Sequence, residues 1–523
     1  MLLKVVFSLH LLLTLSTVGI CFDFQPCDGR DFGLGSIVCV CNETYCDNIE
    51  PNKPLDPRKK FAVYQSDKAG KRLKKSIGSI SVNANGTDDE VIIEVSLQRA
   101  YQTMVGFGGA ITDAAVINAF SLNDKARENL MKSYYSPDGI EYSVARLPIG
   151  SCDFSTRPYS YDDSNGDFEL ANFTLAKEDL QYKIPFVQKV FAMSKRNLTL
   201  FASPWSAPAW MKTNKNLTGN GTLIGPVGGK YYQTWALYFV KFLQEYAKKG
   251  IKFWGLTAQN EPSDGLLYKF RFQCTGFTAA QQRDFIALNL GPTLEKNGFG
   301  HVKLMVLDDS RFFLPGWADT IFSNPANLKY VAGIAVHWYE DVFIGPSLLE
   351  KTHVKYPNVF IMATEACASA MPWEQRKVLL GYWEYAERYA HSMIQDIQHW
   401  AVGWTDWNIA LDLQGGPNWV KNYVDSPIIV DAKNQIFYKQ PMYYAMGHFS
   451  KFIPRRCIRI GSEANKKTKL EFVSFLCPGK YITTVVLNRE DFSIPFHLHD
   501  SMSGYINSIA APRSILTFVW WVY

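Results

Sequence analysis

The sequence predicts an α/β barrel flanked by β-structure from both chain ends, and three observations predict it. From about residue 102 to 456, short apolar runs alternate with longer helical stretches, as in a parallel barrel. Before 102 and after 457 the apolar runs are short, alternating and bounded by turn residues, as in antiparallel β-structure. Two of the barrel runs lead into glutamates: 253–259 into Asn260-Glu261-Pro262, and 359–364 into Glu365-Ala366-Cys367.

Taken in order, residues 1–22 read as a secretory signal, with Lys4 as the positive charge and 5–15 as the apolar region. That stretch is shorter than a membrane span and is broken by His10 and hydroxyls, and no later segment reaches 18 apolar residues. Residues 24–53 form a cysteine-bearing module. Cys27, Cys39, Cys41 and Cys46 read as two disulfides in any of three pairings; a zinc knuckle is the alternative, with no histidine nearby to support it. Cys152, Cys274 and Cys367 read as isolated buried thiols, and Cys457 with Cys477 as a further candidate pair. Residues 56–101 predict strands at 61–64, 79–83 and 91–95. The far end adds 470–476, 481–487 and 515–519, and we expect the two ends to form one sandwich. Between them, strands are predicted at 143–149, 198–203, 253–259, 302–307, 334–337, 359–364 and 401–406, with helices over 231–249, 279–290 and 373–398. Asn-x-Ser/Thr sites at Asn42, Asn85, Asn172, Asn197, Asn216 and Asn220 predict glycosylated surface positions in an exported chain.

Composition excludes several classes. A net charge of +5 with no long basic run argues against nucleic acid. Gly106-Phe107-Gly108-Gly109 lacks the Gly-Lys-Ser/Thr ending of a phosphate loop, no Gly-x-Ser-x-Gly elbow occurs, and no metal-ligand spacing is present. A carboxylate at the C-terminal end of a barrel strand reads as catalytic, and two such carboxylates are what glycoside hydrolysis requires. Alone, Asn-Glu-Pro also suits a surface turn, and Glu365 an acidic residue opening a helix. Together, each after a buried strand, they are candidates for acid/base and nucleophile. Of Asp153, Trp205, His337, Tyr339, Trp407 and Asn422, most follow a predicted strand, where aromatic faces and amides suit a sugar, and Asn260 beside Glu261 suits its 2-hydroxyl.

The chain resembles the lysosomal glucosylceramidases, or acid β-glucosidases. The resemblance rests on Gly106-Phe107-Gly108-Gly109-Ala110, Ser151-Cys152-Asp153-Phe154-Ser155, Ala202-Ser203-Pro204-Trp205, Asn260-Glu261-Pro262-Ser263, Val336-His337-Trp338-Tyr339, Glu365-Ala366-Cys367 and Gly403-Trp404-Thr405-Asp406-Trp407-Asn408. It implies a (β/α)8 barrel over 102–408 plus 441–456, a β-sandwich over 56–101 plus 457–523, and a small disulfide-bearing antiparallel sheet over 24–53 plus 409–440. The implied activity is retaining hydrolysis of glucosylceramide, with Glu261 as acid/base and Glu365 as nucleophile. Asp153, Trp205, Asn260, Trp407 and Asn422 are implied to bind glucose, Phe270 and Phe272 to contact substrate beyond it, and Arg146, His337 and Tyr339 to surround the nucleophile. The implied disulfides are Cys27–Cys39 and Cys41–Cys46. The resemblance also implies no metal or cofactor, no nucleic acid, membrane-borne glucosylceramide, an anionic phospholipid surface and a saposin-like activator, in the lysosome lumen or, alternatively, outside the cell. The rival expectations are a β-glycosidase acting on another glucoside, a sterol glucoside or a xyloside, and a non-catalytic glycolipid-binding protein.

The sequence departs from the family at three places. Phe270 stands where tyrosine is familiar, between the charged Lys269 and Arg271. Gln259 stands where an acid is familiar; two residues before Glu261, it is expected on the same strand face, where losing a negative charge lowers the Glu261 pKa. Cys457 and Cys477 have no counterpart in the family pattern.

Overall fold

The computed structural model describes residues 24–85 and 90–522. The expected signal segment lies outside the described residues. Eight parallel strands close into a barrel, each pairing with the next in chain order and the last with the first. They are β1 (Gly106–Ala110), β2 (Val144–Ile149), β3 (Thr199–Pro204), β4 (Gly255–Thr257), β5 (Lys303–Ser310), β6 (Val331–His337), β7 (Phe360–Glu365) and β8 (Ala401–Asn408). Val144, Phe201, Met305, Ala335, Met362 and Val402 pack together as an apolar plug inside the barrel.

Seven of the eight strands follow the apolar runs; β1 does not. It is the glycine segment Gly106-Phe107-Gly108-Gly109, which has no apolar run to mark it as a strand. Its glycines let the strands close up: a Cβ on Gly108 would lie 1.7 Å from the Val144 carbonyl oxygen. β4 is also shorter than its run, pairing only over Gly255–Thr257. The helix expected over 373–398 begins at Trp383. The preceding residues form a loop whose N–H groups find partners elsewhere, Leu379 on Asp425 Oδ2 (2.8 Å) and Gly381 on Gln440 Oε1 (3.3 Å).

Both chain ends contribute to one nine-stranded sheet. Its order is 504–510, 494–500, 91–103, 458–464, 471–477, 481–488, 514–521, 60–67, 74–79. The two ends of the sheet meet where Ser81 and Tyr505 exchange backbone hydrogen bonds of 2.9 and 2.8 Å. Ile93, Ile482, Phe496, Leu498 and Phe518 fill the interior. The strand expected at 79–83 instead runs over Lys74–Ser79, an edge strand whose two lysines read as loop and which keep an edge from pairing with other chains. A third, five-stranded sheet joins 29–31 and 37–41 to 436–439, 428–431 and 411–412. Disulfides Cys27–Cys39 and Cys41–Cys46 cross-link it, and Cys457–Cys477 closes a pair within the large sheet; Cys152, Cys274 and Cys367 are buried and free. Val38, Val40, Ile429 and Tyr438 of the small sheet share an apolar cluster with Phe154, Trp205 and Trp407, so this sheet buttresses the C-terminal mouth of the barrel. Among the described residues no helix is long and apolar enough to cross a membrane.

Candidate active site

Glu365 ends β7, and Glu261 follows β4 by four residues. One carboxylate oxygen of each lies within 4.8 Å of the other. Glu261 has φ 39°, a left-handed conformation that is strained for a non-glycine residue and is found where a site over-determines the backbone. Its N–H is fixed by the Asp308 carbonyl at 2.8 Å.

Beneath the pair lies a buried charge network. Arg146, on β2, donates to Glu365 Oε2 in a very short contact, to Asn260 Oδ1 (2.7 Å), to Asp308 Oδ2 (2.8 Å) and to Ser203 Oγ (3.1 Å). Tyr339 donates its hydroxyl to the other Glu365 oxygen at 2.6 Å. His337, at the end of β6, bridges Glu261 Oε1 (3.0 Å) and Asp308 Oδ1 (3.1 Å). Thr257 and Thr364 donate to Asp308 at 2.6 and 2.7 Å. Burial works against a charged His337, but the Glu365 charge and the hydrogen bonds of Asp308 and Glu261 carry its pKa well above the ordinary value. Both of its ring nitrogens face carboxylate oxygens, which suits an imidazolium donating from each. Asp308 is held far below the carboxylate range: burial raises it, and Arg146 and His337 overcome that.

Burial pushes both carboxyls of the pair up. At Glu261 the hydrogen bond and charge of His337 outweigh it, and the pKa is lowered. At Glu365 burial prevails over His337 and Arg146, helped by the Glu261 charge, and the pKa is raised. The Glu261 charge is one of the causes that hold Glu365 up, so a proton on Glu261 lets the Glu365 pKa fall. Once Glu261 takes the proton, the two donors on Glu365, Arg146 and Tyr339, stabilise Glu365 as the carboxylate.

A cavity of about 180 Å³ opens over the pair, and Asp153, Trp205, Phe272, Trp407 and Asn422 are among the residues lining it. Trp205 and Trp407 are stacked with centroids 5.0 Å apart, and Asp153 Oδ2 accepts from Asn422 Nδ2 (3.0 Å) and Asn418 Nδ2 (3.2 Å). Burial raises Asp153 to about 7, against the pull of the Asn422 hydrogen bond. Asn260, next to Glu261, is buried with its Oδ1 accepting from Arg146 at 2.7 Å. Phe270 does not line this cavity; it packs behind Phe272, ring centroids 4.3 Å apart. From Glu261 and Tyr339 a second cavity of about 380 Å³ leads outward past Leu267, Phe312, Phe313, Phe343 and Ile344. A third, of about 450 Å³, adds Trp338, Val342 and Met371.

Gln259 does not bear on Glu261 as expected. Its side chain turns the other way, donating Nε2 to the carbonyls of Pro204, Trp205 and Asn260 at 3.0, 2.8 and 3.0 Å. The chain leaves the paired part of β4 at Thr257, so strand alternation no longer governs residues 258–261. The sequence reading also missed Asp308, Asp309 and Asp264. The first two end a predicted barrel strand, the same signal that marked Glu261 and Glu365.

Residues 104–453 match the glycosyl hydrolase family 30 TIM-barrel domain, and residues 458–518 the family 30 β-sandwich domain. The chain is 46% identical over 498 residues to the lysosomal acid glucosylceramidase of Mus musculus, covering 95% of this chain and 96% of that protein. It is 44% identical over 488 residues to putative glucosylceramidase 3 of Caenorhabditis elegans, covering 93% and 92%. Among solved structures, SrfJ from Salmonella typhimurium matches with a TM-score of 0.80 at 27% identity, over 88% of this chain and 99% of that one. The endo-β1,6-glucanase BT3312 shares the fold, with a TM-score of 0.78 at 24% identity over 88% and 99%.

Proposed function

The chain belongs to glycosyl hydrolase family 30, and from that membership we propose that it is a retaining β-glucosidase that hydrolyses glucosylceramide to glucose and ceramide. The observation that carries the mechanism is the separation of the two carboxylates. One oxygen of each within 4.8 Å suits a double displacement, for which carboxyl groups stand ~5–5.5 Å apart, better than the ~6.5–9.5 Å of an inverting enzyme. Glu365 attacks the anomeric carbon while Glu261 gives its proton to the departing ceramide oxygen. Glu261 then takes a proton from water, the water oxygen attacks the same carbon, and the Glu365 ester breaks to release glucose with its configuration retained. Arg146 and Tyr339 orient the Glu365 lone pairs, and His337 holds Glu261. Asp153, Asn422, Trp205 and Trp407 bind the glucose, and Asn260 reaches its 2-hydroxyl. Phe272, with Phe270 behind it, borders the way out.

The aglycone side supports a lipid substrate. The sugar cavity shares Glu261 and Tyr339 with a cavity walled by Leu267, Phe313 and Phe343, and Tyr339 and Phe343 in turn border one with Trp338 and Met371. Leu267, Tyr268, Phe312, Val342, Phe343 and Trp373 stay exposed around that mouth, with Lys269 and Arg271 beside them. An apolar rim carrying basic residues suits an anionic phospholipid surface, from which a saposin-like activator would help lift the lipid. We assign the protein to the lysosome lumen as a disulfide-bonded glycoprotein that follows a signal peptide there. Asn85, Asn172, Asn197, Asn216 and Asn220 are exposed and Asn42 half-buried, which favours glycosylation at the first five.

The test is glucose release from glucosylceramide in anionic phospholipid vesicles at mildly acidic pH, run beside Glu365→Gln. The proposal expects release by the wild type and a loss of about 10³-fold or more in a folded variant. Faster turnover of a xyloside or sterol glucoside would overturn the substrate, and an active Glu365→Gln would overturn the nucleophile.

A further inference from the structure

Glu261 is not the only carboxyl its turn presents. The chain leaves β4 through Glu261-Pro262-Ser263-Asp264, and the Asp264 N–H donates to the Glu261 carbonyl at 3.1 Å, so the turn folds back on itself. It is pinned on three sides. Ser263 donates its N–H and hydroxyl to Asp309 Oδ2 at 3.2 and 2.7 Å. The Pro262 carbonyl accepts from the Phe277 N–H at 3.0 Å. Gly265 lies so close to the returning chain that a Cβ there would meet the Gly276 nitrogen at 2.0 Å. The turn carries the half-buried Asp264 back beside Glu261, and the two carboxyls border the same 380 Å³ cavity on the aglycone side. Two carboxyls that share one site do not both ionise, and one of them keeps a proton.

The surroundings decide which. His337 and Arg146, the two cations of the site, act on Glu261, one through a direct hydrogen bond. Asp264 has the anions Glu261 and Asp309 as neighbours, which outweigh the offsetting charge of His337. Burial, then the Glu261 charge, pushes the Asp264 carboxyl far above the ordinary carboxylate range. The remaining titratable neighbours are the acidic Asp153 and Glu365, Glu340 across the cavity, and the Tyr339 and Cys274 groups that burial keeps neutral.

Building on the two-carboxylate mechanism above, we propose that Asp264 is a positioning residue that stays protonated and donates its O–H to the Glu261 carboxylate, making the acid/base a stronger acid. The Asp264 proton does not leave. Glu261 gives one proton to the ceramide oxygen in the first half-reaction and recovers one from water in the second, while Asp264 stabilises the intervening carboxylate. The consequence is a lowered alkaline limb, so that activity is confined to more acidic pH.

The experiment is the pH profile of kcat/KM on a soluble aryl β-glucoside for the wild type and for Asp264→Ala, Asp264→Leu and Asp264→Asn, each checked for folding by thermal melting. Alanine and leucine remove the donor, and the alkaline limb is expected to move up by about one pH unit. Asparagine supplies an amide N–H in its place and is expected to keep the limb near that of the wild type. Coincident profiles in all four proteins would overturn the inference. A downward shift in the alanine or leucine variant would also overturn it, because that is the sign of an ionised Asp264. A wild type that hydrolyses no β-glucoside would instead overturn the function on which the inference rests.

Discussion

At the scale of single residues, function depends on which carboxyl holds a proton, and the hydrogen-bond partners set that. Gln259 illustrates the point. Three backbone carbonyls converge on its Nε2, so a glutamate there would have to remain a neutral acid to replace even one of those bonds. Gln259→Glu is therefore expected to lose about 1–3 kcal/mol of stability through the Pro204–Trp205 segment, with an unshifted pH–activity profile. Thermal melting and the pH profile test this, and a profile displaced toward higher pH would show that the new carboxyl senses Glu261 after all. Glu261 and Glu365 were legible in the sequence because each follows a run of buried apolar residues. Asp308 and Asp309 carry the same mark and were overlooked. Asp264 carries none, since a carboxyl three residues on meets Glu261 only through the strained turn at φ 39°.

At the scale of elements, the barrel strands were legible wherever their side chains are branched or bulky. β1 was not, because close approach of backbones, rather than side-chain packing, makes it a strand. The 1.7 Å contact that a Gly108 Cβ would make is with the backbone carbonyl of Val144, which cannot move without breaking the β1–β2 register. Gly108→Ala is expected to cost about 3 kcal/mol or more and to yield little folded protein. A soluble variant with wild-type melting temperature would refute that account of β1. The early start assigned to the helix at Trp383 has a related cause: a loop whose N–H groups are satisfied by distant side chains can carry an apolar pattern without being helical.

At the scale of the whole molecule, the chain ends were legible as β-structure, but the strands that seal the nine-stranded sheet at 494–500 and 504–510 were too mixed in polarity to be read. His448 ties this sheet to the barrel. From the helix Pro441–Ser450 its ring nitrogens meet Ser66 Oγ and Thr517 Oγ1 at 2.9 and 2.8 Å, and burial lowers its pKa from 6.5 to about 3. Between those values the unfolded chain binds a proton that the folded one does not. The neutral imidazole's contribution is thus full above pH 6.5 and falls by about 1.4 kcal/mol per pH unit below it, until about pH 3. The stability advantage of the wild type over His448→Asn is expected to shrink by about 2 kcal/mol between pH 7 and 5, and denaturant titrations that give a constant difference would contradict it. The large sheet, the barrel and the buttressing small sheet all serve to hold two carboxylates at one spacing, and that spacing is the central claim. The most direct test is to incubate the protein with a 2-fluoro-2-deoxy-β-glucosyl donor bearing a good leaving group and to map the adduct by peptide mass spectrometry. A single fluoroglucosyl ester on Glu365 is expected, whereas turnover without an adduct, or an adduct on any other residue, would contradict the account.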